Sequence, residues 1–167
     1  MNALKNFGTF AAGLAVLIAL VVIADLFIMG AAAVSAFAIP WLTIASEVTL
    51  GVCILILAPM CAFRASRIAA CFGFLAASFV FGFSAWVWGF LVTYTLWGVL
   101  GVILGVFLGG IGVVPVAILA AAIHGLWAVV VNLIILAGLT YGSRALALAV
   151  AEKVDNDALS LDRLEAL

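Results

Sequence analysis

The feature that most constrains this chain is a stretch of 76 residues, positions 68–143, that contains no Asp, Glu, Lys or Arg. Over all 167 residues, 70% are hydrophobic and 8% are charged, against roughly 45 to 50% and about 25% in an ordinary soluble domain. So few charged side chains cannot cover the surface of a water-soluble globule of this size. The sequence therefore predicts an all-α integral membrane protein that lives in a lipid bilayer.

The few charges divide the chain into pieces whose lengths predict the number of helices. At about 20 residues per crossing, the part before Arg64 holds two helices joined near Pro40, and the charge-free stretch holds three. The expected bundle has five apolar segments, at residues 9–29, 42–61, 69–92, 96–114 and 117–139. The first run follows Lys5 like a signal peptide, but it is too long for one, so we expect it to be retained.

The basic residues favour an alternative with four full spans and one re-entrant segment. Five crossings place Arg144 and Lys153 on the opposite side from Arg64 and Arg67, against the tendency of basic residues to stay cytoplasmic. Two half-helices, at residues 96–108 and 115–124, around the glycine-rich residues 109–112 would put them on one side. Both topologies remain open at this level.

The sequence also predicts a division into two parts. Residues 1–143 form the transmembrane helical domain, and residues 144–167 form a polar, amphipathic C-terminal tail. In this tail a polar break from Asp155 to Asp157 precedes leucines that recur every three residues beside charged side chains. This pattern indicates an interfacial helix or a docking segment.

Four glycines spaced three and four residues apart predict a helix-packing seam. They are Gly98, Gly101, Gly105 and Gly109. In a bilayer, helices associate through close backbone approach over small residues of this kind. The seam would pack either against another helix of the same chain or, as a glycine zipper, against a second molecule.

Three ionisable residues are candidates for a proton or cation relay: Asp25, Glu47 and His124. An acidic side chain at the centre of a span costs about 2.5 to 3.5 kcal/mol, so it needs a polar neighbour. If the chain turns between residues 30 and 39, Asp25 and Glu47 lie at similar depth, and one of them would retain a proton. A continuous helix would separate them. The alternatives are a first-turn acid for Glu47, a packing hydrogen bond for Asp25 and a helix cap for His124.

The remaining polar residues suggest structural roles. Arg64 and Arg67 lie at a helix junction, where we expect them to anchor to lipid phosphates. Asn132 is expected to make one interhelical hydrogen bond. The basic residues are too few and scattered for nucleic acid, and the chain carries no catalytic motif and no ligand set for a metal or cofactor.

These features favour a non-enzymatic subunit for membrane packing or assembly, with itself or another membrane protein as its partner. The alternative function is a small channel or a proton- or cation-coupled transporter that uses the three ionisable residues. Short connections favour a prokaryotic inner (cytoplasmic) membrane.

Overall fold

The computed structural model describes residues 2–61, 63, 66–108, 110 and 112–165, with side chains over positions 13–154 of these ranges. The described residues are helical apart from turns. The elements are α1 (Asn2–Val52), a π-helical turn (Cys53–Leu57), α2 (Ala58–Met60), α3 (Arg67–Phe107), α4 (Val113–Ile123) and α5 (Trp127–Glu165). Among the described residues, three helices are long and apolar enough to cross a membrane: Gly13–Met60, Arg67–Phe107 and Trp127–Val154. The architecture is that expected of a helical membrane bundle.

Helix α1 corrects the predicted connection between the first two segments. It runs for 51 residues and passes through Pro40 without a turn, although proline removes one backbone hydrogen bond and disfavours a helix interior. At 1.5 Å per residue it is about 76 Å long, more than twice the ~30 Å hydrocarbon core of a bilayer. Its packed part begins near Ala32, which is buried, whereas the large side chains between Leu14 and Ile23 are all exposed.

Near its end, the first helical stretch changes geometry just before a proline. The π-helical turn Cys53–Leu57 precedes Pro59, which occupies the first turn of α2. Pro59 has no N–H that could donate a hydrogen bond to the carbonyl four residues earlier. The wider π-helical turn before it makes room for the proline ring. Helical structure ends at Met60, close to the predicted boundary at Cys61.

Helix α3 is two helices in one, because Gly98 interrupts it with φ 65° and ψ −156°. We call residues 67–97 α3a and residues 99–107 α3b. In a straight helix residues 93 and 101 are about 12 Å apart along the axis. Here a Cβ placed on Gly101 would lie 3.0 Å from the Cγ2 atom of Thr93. The chain therefore folds back at Gly98, and the predicted straight span over residues 96–114 is wrong.

Helices α3b and α4 form a short hairpin that is fastened to α3a. The Trp86 indole Nε1 donates a hydrogen bond to the Gly110 carbonyl at 3.1 Å. The buried Thr93 hydroxyl donates to the Val113 carbonyl at 3.4 Å. With 11 residues, α4 is about 16 Å long, roughly half of the hydrocarbon thickness. The hairpin tip thus lies beside Trp86, well inside the length of α3a.

The chain turns again between α4 and α5, which corrects the predicted span over residues 117–139. Gly125 has φ 72°, a conformation that suits glycine after a helix end, and the Leu126 N–H donates to the Ala121 carbonyl at 2.9 Å. Helix α5 then continues to Glu165. The polar break predicted at Asp155 to Asp157 therefore does not interrupt the helix. The amphipathic side-chain pattern of the tail lies outside the described side chains.

Helix α3 is the centre of the bundle, and α1, α4 and α5 all pack against it. One buried cluster, around Phe81, joins the π-helical turn after α1 with α3a and α5. A second, around Leu133, joins α3a, α4 and α5. A third joins α1, both halves of α3 and α4 around Val102. Leu57 lies beside Gly73 and Ser46 beside Ser84, so α1 and the turn after it run antiparallel to α3a. Gly82 lies beside Thr140 and Cys71 beside Ala147, so α5 also runs antiparallel to α3a.

This arrangement brings the basic residues of α3 and α5 to one end of the molecule. The Cys71 thiol donates to the Ala147 carbonyl at 3.3 Å, so Arg67 and Arg144 lie at the same end, with Lys153 beyond them on α5. We call this the basic end and the opposite one the Gly98 end. Five separate spans are not confirmed, because the chain makes two long passages and one short hairpin between Arg67 and Arg144.

Candidate functional site

A groove runs between α1 and α5 over one face of α3a. It comprises a cavity of about 180 Å³ and an adjoining one of about 370 Å³, which share Leu50, Phe81 and Leu139 in their linings. We call this feature the α1–α5 groove. Along its wall on α5, Gly138 and Gly142 have nothing within 4 Å of a Cβ placed on them. The groove is therefore open along its length to whatever surrounds the protein.

The smaller cavity is the polar part of the groove. Its lining includes Thr43, Ser46 and Glu47 from α1, Ser84 from α3a and Asn132 from α5. The Ser46 and Ser84 hydroxyl oxygens are hydrogen-bonded at 2.9 Å, and this bond fixes the depth of α1 against α3a. Three helices thus place five polar side chains around one apolar groove.

This polar cluster lies near the middle of the transmembrane bundle. Ser84 is 17 residues from Arg67 and 14 from Gly98, which is about 26 Å and 21 Å along the helix. A bilayer with its headgroup regions is about 40 to 45 Å thick. If Arg67 lies at one interface, Glu47, next to Ser46, is at mid-depth.

The structure does not bring the three relay candidates together. Asp25 and Glu47 lie 22 residues apart on the uninterrupted helix α1, about 33 Å along its axis. His124 is exposed at the C-terminal end of α4, at the Gly98 end. Among the described residues, neither Asp25 nor Glu47 has a hydrogen bond or an ion pair. Of the three candidates, only Glu47 lies in a cluster of polar side chains.

The glycine seam is divided between an internal contact and a chain reversal. Gly105 is buried, and a Cβ on it would lie 3.0 Å from the Val113 Cα atom. Gly101 is buried against Thr93, and Gly98 makes the reversal. Gly109 lies outside the described residues. The seam thus serves contacts within this chain, and its buried glycines present no surface to a second molecule.

Of the two candidate lipid anchors, Arg64 and Arg67, the structure describes only Arg67. Arg67 begins α3 and its Nε donates to the Cys61 carbonyl at 3.3 Å, so it ties the connection before α3 to the bundle. Arg64 lies outside the described residues. Lipid anchoring by either arginine stays a prediction.

Sequence reasoning missed one residue that lines the groove and one that fastens the hairpin, and it misjudged a third residue, which also lines the groove. Ser84 received no role, although a serine inside the charge-free stretch is itself a signal. Trp86 and its bond to Gly110 were also missed. Asn132 was expected to bond to another helix, but in the described part of the chain its side chain has no hydrogen-bond partner and faces the groove instead.

No three His, Cys, Asp or Glu side chains in the described part of the chain come together in a way that could hold a metal ion. The three cysteines form no disulfide bond, and the thiols of Cys61 and Cys71 donate hydrogen bonds to backbone carbonyls. These cysteines therefore act here as small packing residues.

Comparisons with known proteins identify no relative of this chain. No protein-family model, curated protein or solved structure matches this chain.

Proposed function

We propose that this protein is a non-enzymatic assembly subunit of a membrane complex, and that its α1–α5 groove receives a transmembrane helix of a partner protein. The observation that carries this proposal is a groove at mid-depth with Glu47 exposed in it and without a partner in the described part of the chain. A carboxyl group in the bilayer interior is expensive unless it is sheltered. A helix in the groove would shelter Glu47 and cover the apolar wall.

The glycines of the groove support a helical occupant. Gly138 and Gly142, one turn apart on α5, have open space in front of their Cα atoms. Close backbone approach over small residues is the main source of contact between helices in lipid. The proposed interface therefore uses these two glycines instead of the seam around Gly105.

A first test places a photoreactive benzophenone side chain at Gly142, inside the groove, in the native membrane. We expect one adduct of defined mass, whose cross-linked peptide belongs to a transmembrane segment. The matched control is the same side chain at Leu148, which is 69% exposed on α5 outside the groove lining. It is expected to give no discrete adduct.

A blocking variant completes this test. Gly138→Phe fills the groove, so the adduct from position 142 is expected to fall at least about fivefold, since one well-packed contact is worth about 1 kcal/mol or more. Gly13→Phe, also in open space but outside the groove, should leave it unchanged. An adduct that survives Gly138→Phe would contradict the proposed function.

We further propose that the basic end faces the cytoplasm, in the inner membrane of a prokaryote. This orientation follows the preference of Lys and Arg for the cytoplasmic side, and Arg67, Arg144 and Lys153 share that end. In this topology the hairpin of α3b and α4 is a re-entrant segment that enters the bilayer from the Gly98 end and returns to it.

This orientation predicts opposite labelling of two positions. In a variant with Cys53, Cys61 and Cys71 replaced by alanine, a cysteine at His124 should react with a membrane-impermeant maleimide added outside the cell. A cysteine at Glu152 should react only after the membrane is opened. Five full spans would instead place Glu152 on the opposite side from Arg67 and His124 within the fifth span, so a cysteine at Glu152 would react without opening the membrane and one at His124 would be shielded.

Ion transport is the second candidate function, favoured by the cluster of Glu47, two serine hydroxyls and the Asn132 amide. These oxygens could pass a proton or bind a small cation. Purified protein in proteoliposomes tests it directly: Glu47→Gln should abolish flux if this function is correct. Asp25→Asn is the matched control, because Asp25 lies far from the groove.

A further inference from the structure

We infer that the helix received by the α1–α5 groove carries a lysine or arginine at mid-depth, opposite Glu47. This inference rests on the proposed function and adds the chemistry of the partner. It depends on three observations: the position of the carboxyl group, the hydrogen bonds of its neighbours and the distribution of basic residues along the chain.

The groove offers hydrogen-bond acceptors more than donors. The Thr43 hydroxyl already donates to the Ile39 carbonyl at 2.9 Å, and the Ser46 hydroxyl donates to the Leu42 carbonyl at 2.8 Å. The hydroxyl of Ser84 is hydrogen-bonded to that of Ser46. This leaves the two carboxyl oxygens of Glu47 and the side-chain amide of Asn132 facing an occupant.

The complementary group is therefore a strong donor, and a cation meets the requirement best. A lysine or arginine would bond to the carboxylate and cancel its charge, so that neither group remains isolated in the hydrocarbon. Asn132 can accept a second hydrogen from the same cation through its amide oxygen.

A second copy of this chain does not supply such a cation. The basic residues are Lys5, Arg64, Arg67, Arg144, Lys153 and Arg163. Arg144 lies toward the basic end from the polar cluster, 12 residues or about 18 Å along α5 from Asn132, and residues 68–143 contain no lysine or arginine. A copy placed in the groove would bring another apolar or acidic surface to Glu47. The partner is thus a different membrane protein.

The test measures association between the purified full-length protein and labelled synthetic transmembrane peptides in phosphatidylcholine vesicles, by energy transfer. The peptides are 23-residue leucine–alanine helices with lysine, glutamine or leucine at the central position. We expect the lysine peptide to bind at least about tenfold more tightly than the leucine peptide. The glutamine peptide, limited to a neutral hydrogen bond, should gain about threefold.

Two controls locate the effect at Glu47. With Glu47→Gln, the preference for the lysine peptide should disappear. The elution volume and the resistance to unfolding should remain those of the unaltered protein, because the Glu47 side chain has no hydrogen bond or ion pair with the rest of the described chain. With the unaltered protein, moving the lysine seven residues along the peptide should also remove the preference, since the charge then lies about 10 Å from the carboxyl group.

The outcomes separate this inference from the proposed function. Equal binding of the three peptides, or a lysine preference that survives Glu47→Gln, would overturn the cationic partner. Self-association of the protein that depends on Glu47 would overturn it in favour of a second copy. In each case the photo-adduct at position 142, with its loss in Gly138→Phe, decides independently whether the groove receives a helix.

Discussion

Replacing Gly98 with valine is expected to lower the free energy of unfolding by about 3 kcal/mol, because its backbone conformation belongs almost exclusively to glycine. With φ 65° and ψ −156°, Gly98 lies in a region where a Cβ atom collides with the neighbouring backbone. Nothing lies within 4 Å of the Cβ position, so the penalty comes from the backbone and not from crowding. Titration from mild detergent into sodium dodecyl sulfate measures this loss.

The controls for Gly98 separate backbone strain from side-chain size. Gly98→Ala should cost about 2 kcal/mol, since any L residue is strained there. Gly51→Val, at a position in α1 with open space around it, should cost less than about 1 kcal/mol. A stable Gly98→Val variant would show that the chain does not reverse at this point.

Gly105→Leu should destabilise the isolated monomer by about 3 kcal/mol. A Cβ at this position would lie 3.0 Å from the Val113 Cα and 3.4 Å from its backbone nitrogen, and a backbone cannot move aside as a flexible side chain can. Overpacking of this kind typically costs 1 to 3 kcal/mol. We therefore expect α4 to be displaced from α3b, with faster proteolysis of the hairpin in detergent.

This second variant also decides what the glycine seam is for. If the seam served only contacts between molecules, Gly105→Leu would change assembly size and leave the monomer as stable as before. Because Gly105 packs inside the monomer, we expect the opposite result: the monomer loses stability at every protein concentration. Gly51→Leu is the matched control, and it should leave stability nearly unchanged.

Several parts of the fold could be predicted from local sequence. The charge-free stretch indicates helices in lipid, because the backbone polar groups of a spanning segment must bond to each other. The sequence His124-Gly125 indicates a helix end, and Pro59 indicates a disturbed last turn. Each of these signals acts within a few residues.

The predictions that failed depend on contacts between distant residues. Pro40 suggested a helix start, yet α1 continues through it, since one missing hydrogen bond does not force a turn. Gly98 belonged to a regular glycine spacing, and no local signal distinguishes its reversal from the packing of Gly105. The proposed pairing of Asp25 with Glu47 required a turn that the helix does not make.

The sequence by itself indicated that lipid surrounds the protein and that its fold is all-helical. Both follow from the small number of charged side chains, because a surface of this composition is not stable in water and a backbone in lipid must satisfy its own hydrogen bonds. Only the tertiary structure decided the partners of each polar residue. The packing of α1 and α5 on α3a placed Glu47 beside Ser46, Ser84 and Asn132, and the reversal at Gly98 placed Trp86 beside Gly110. The physical reason is that the preference of each side chain for lipid or water does not depend on which residues lie near it in the fold. A site, in contrast, depends on the distances between side chains that are far apart in the sequence, and helix packing sets those distances.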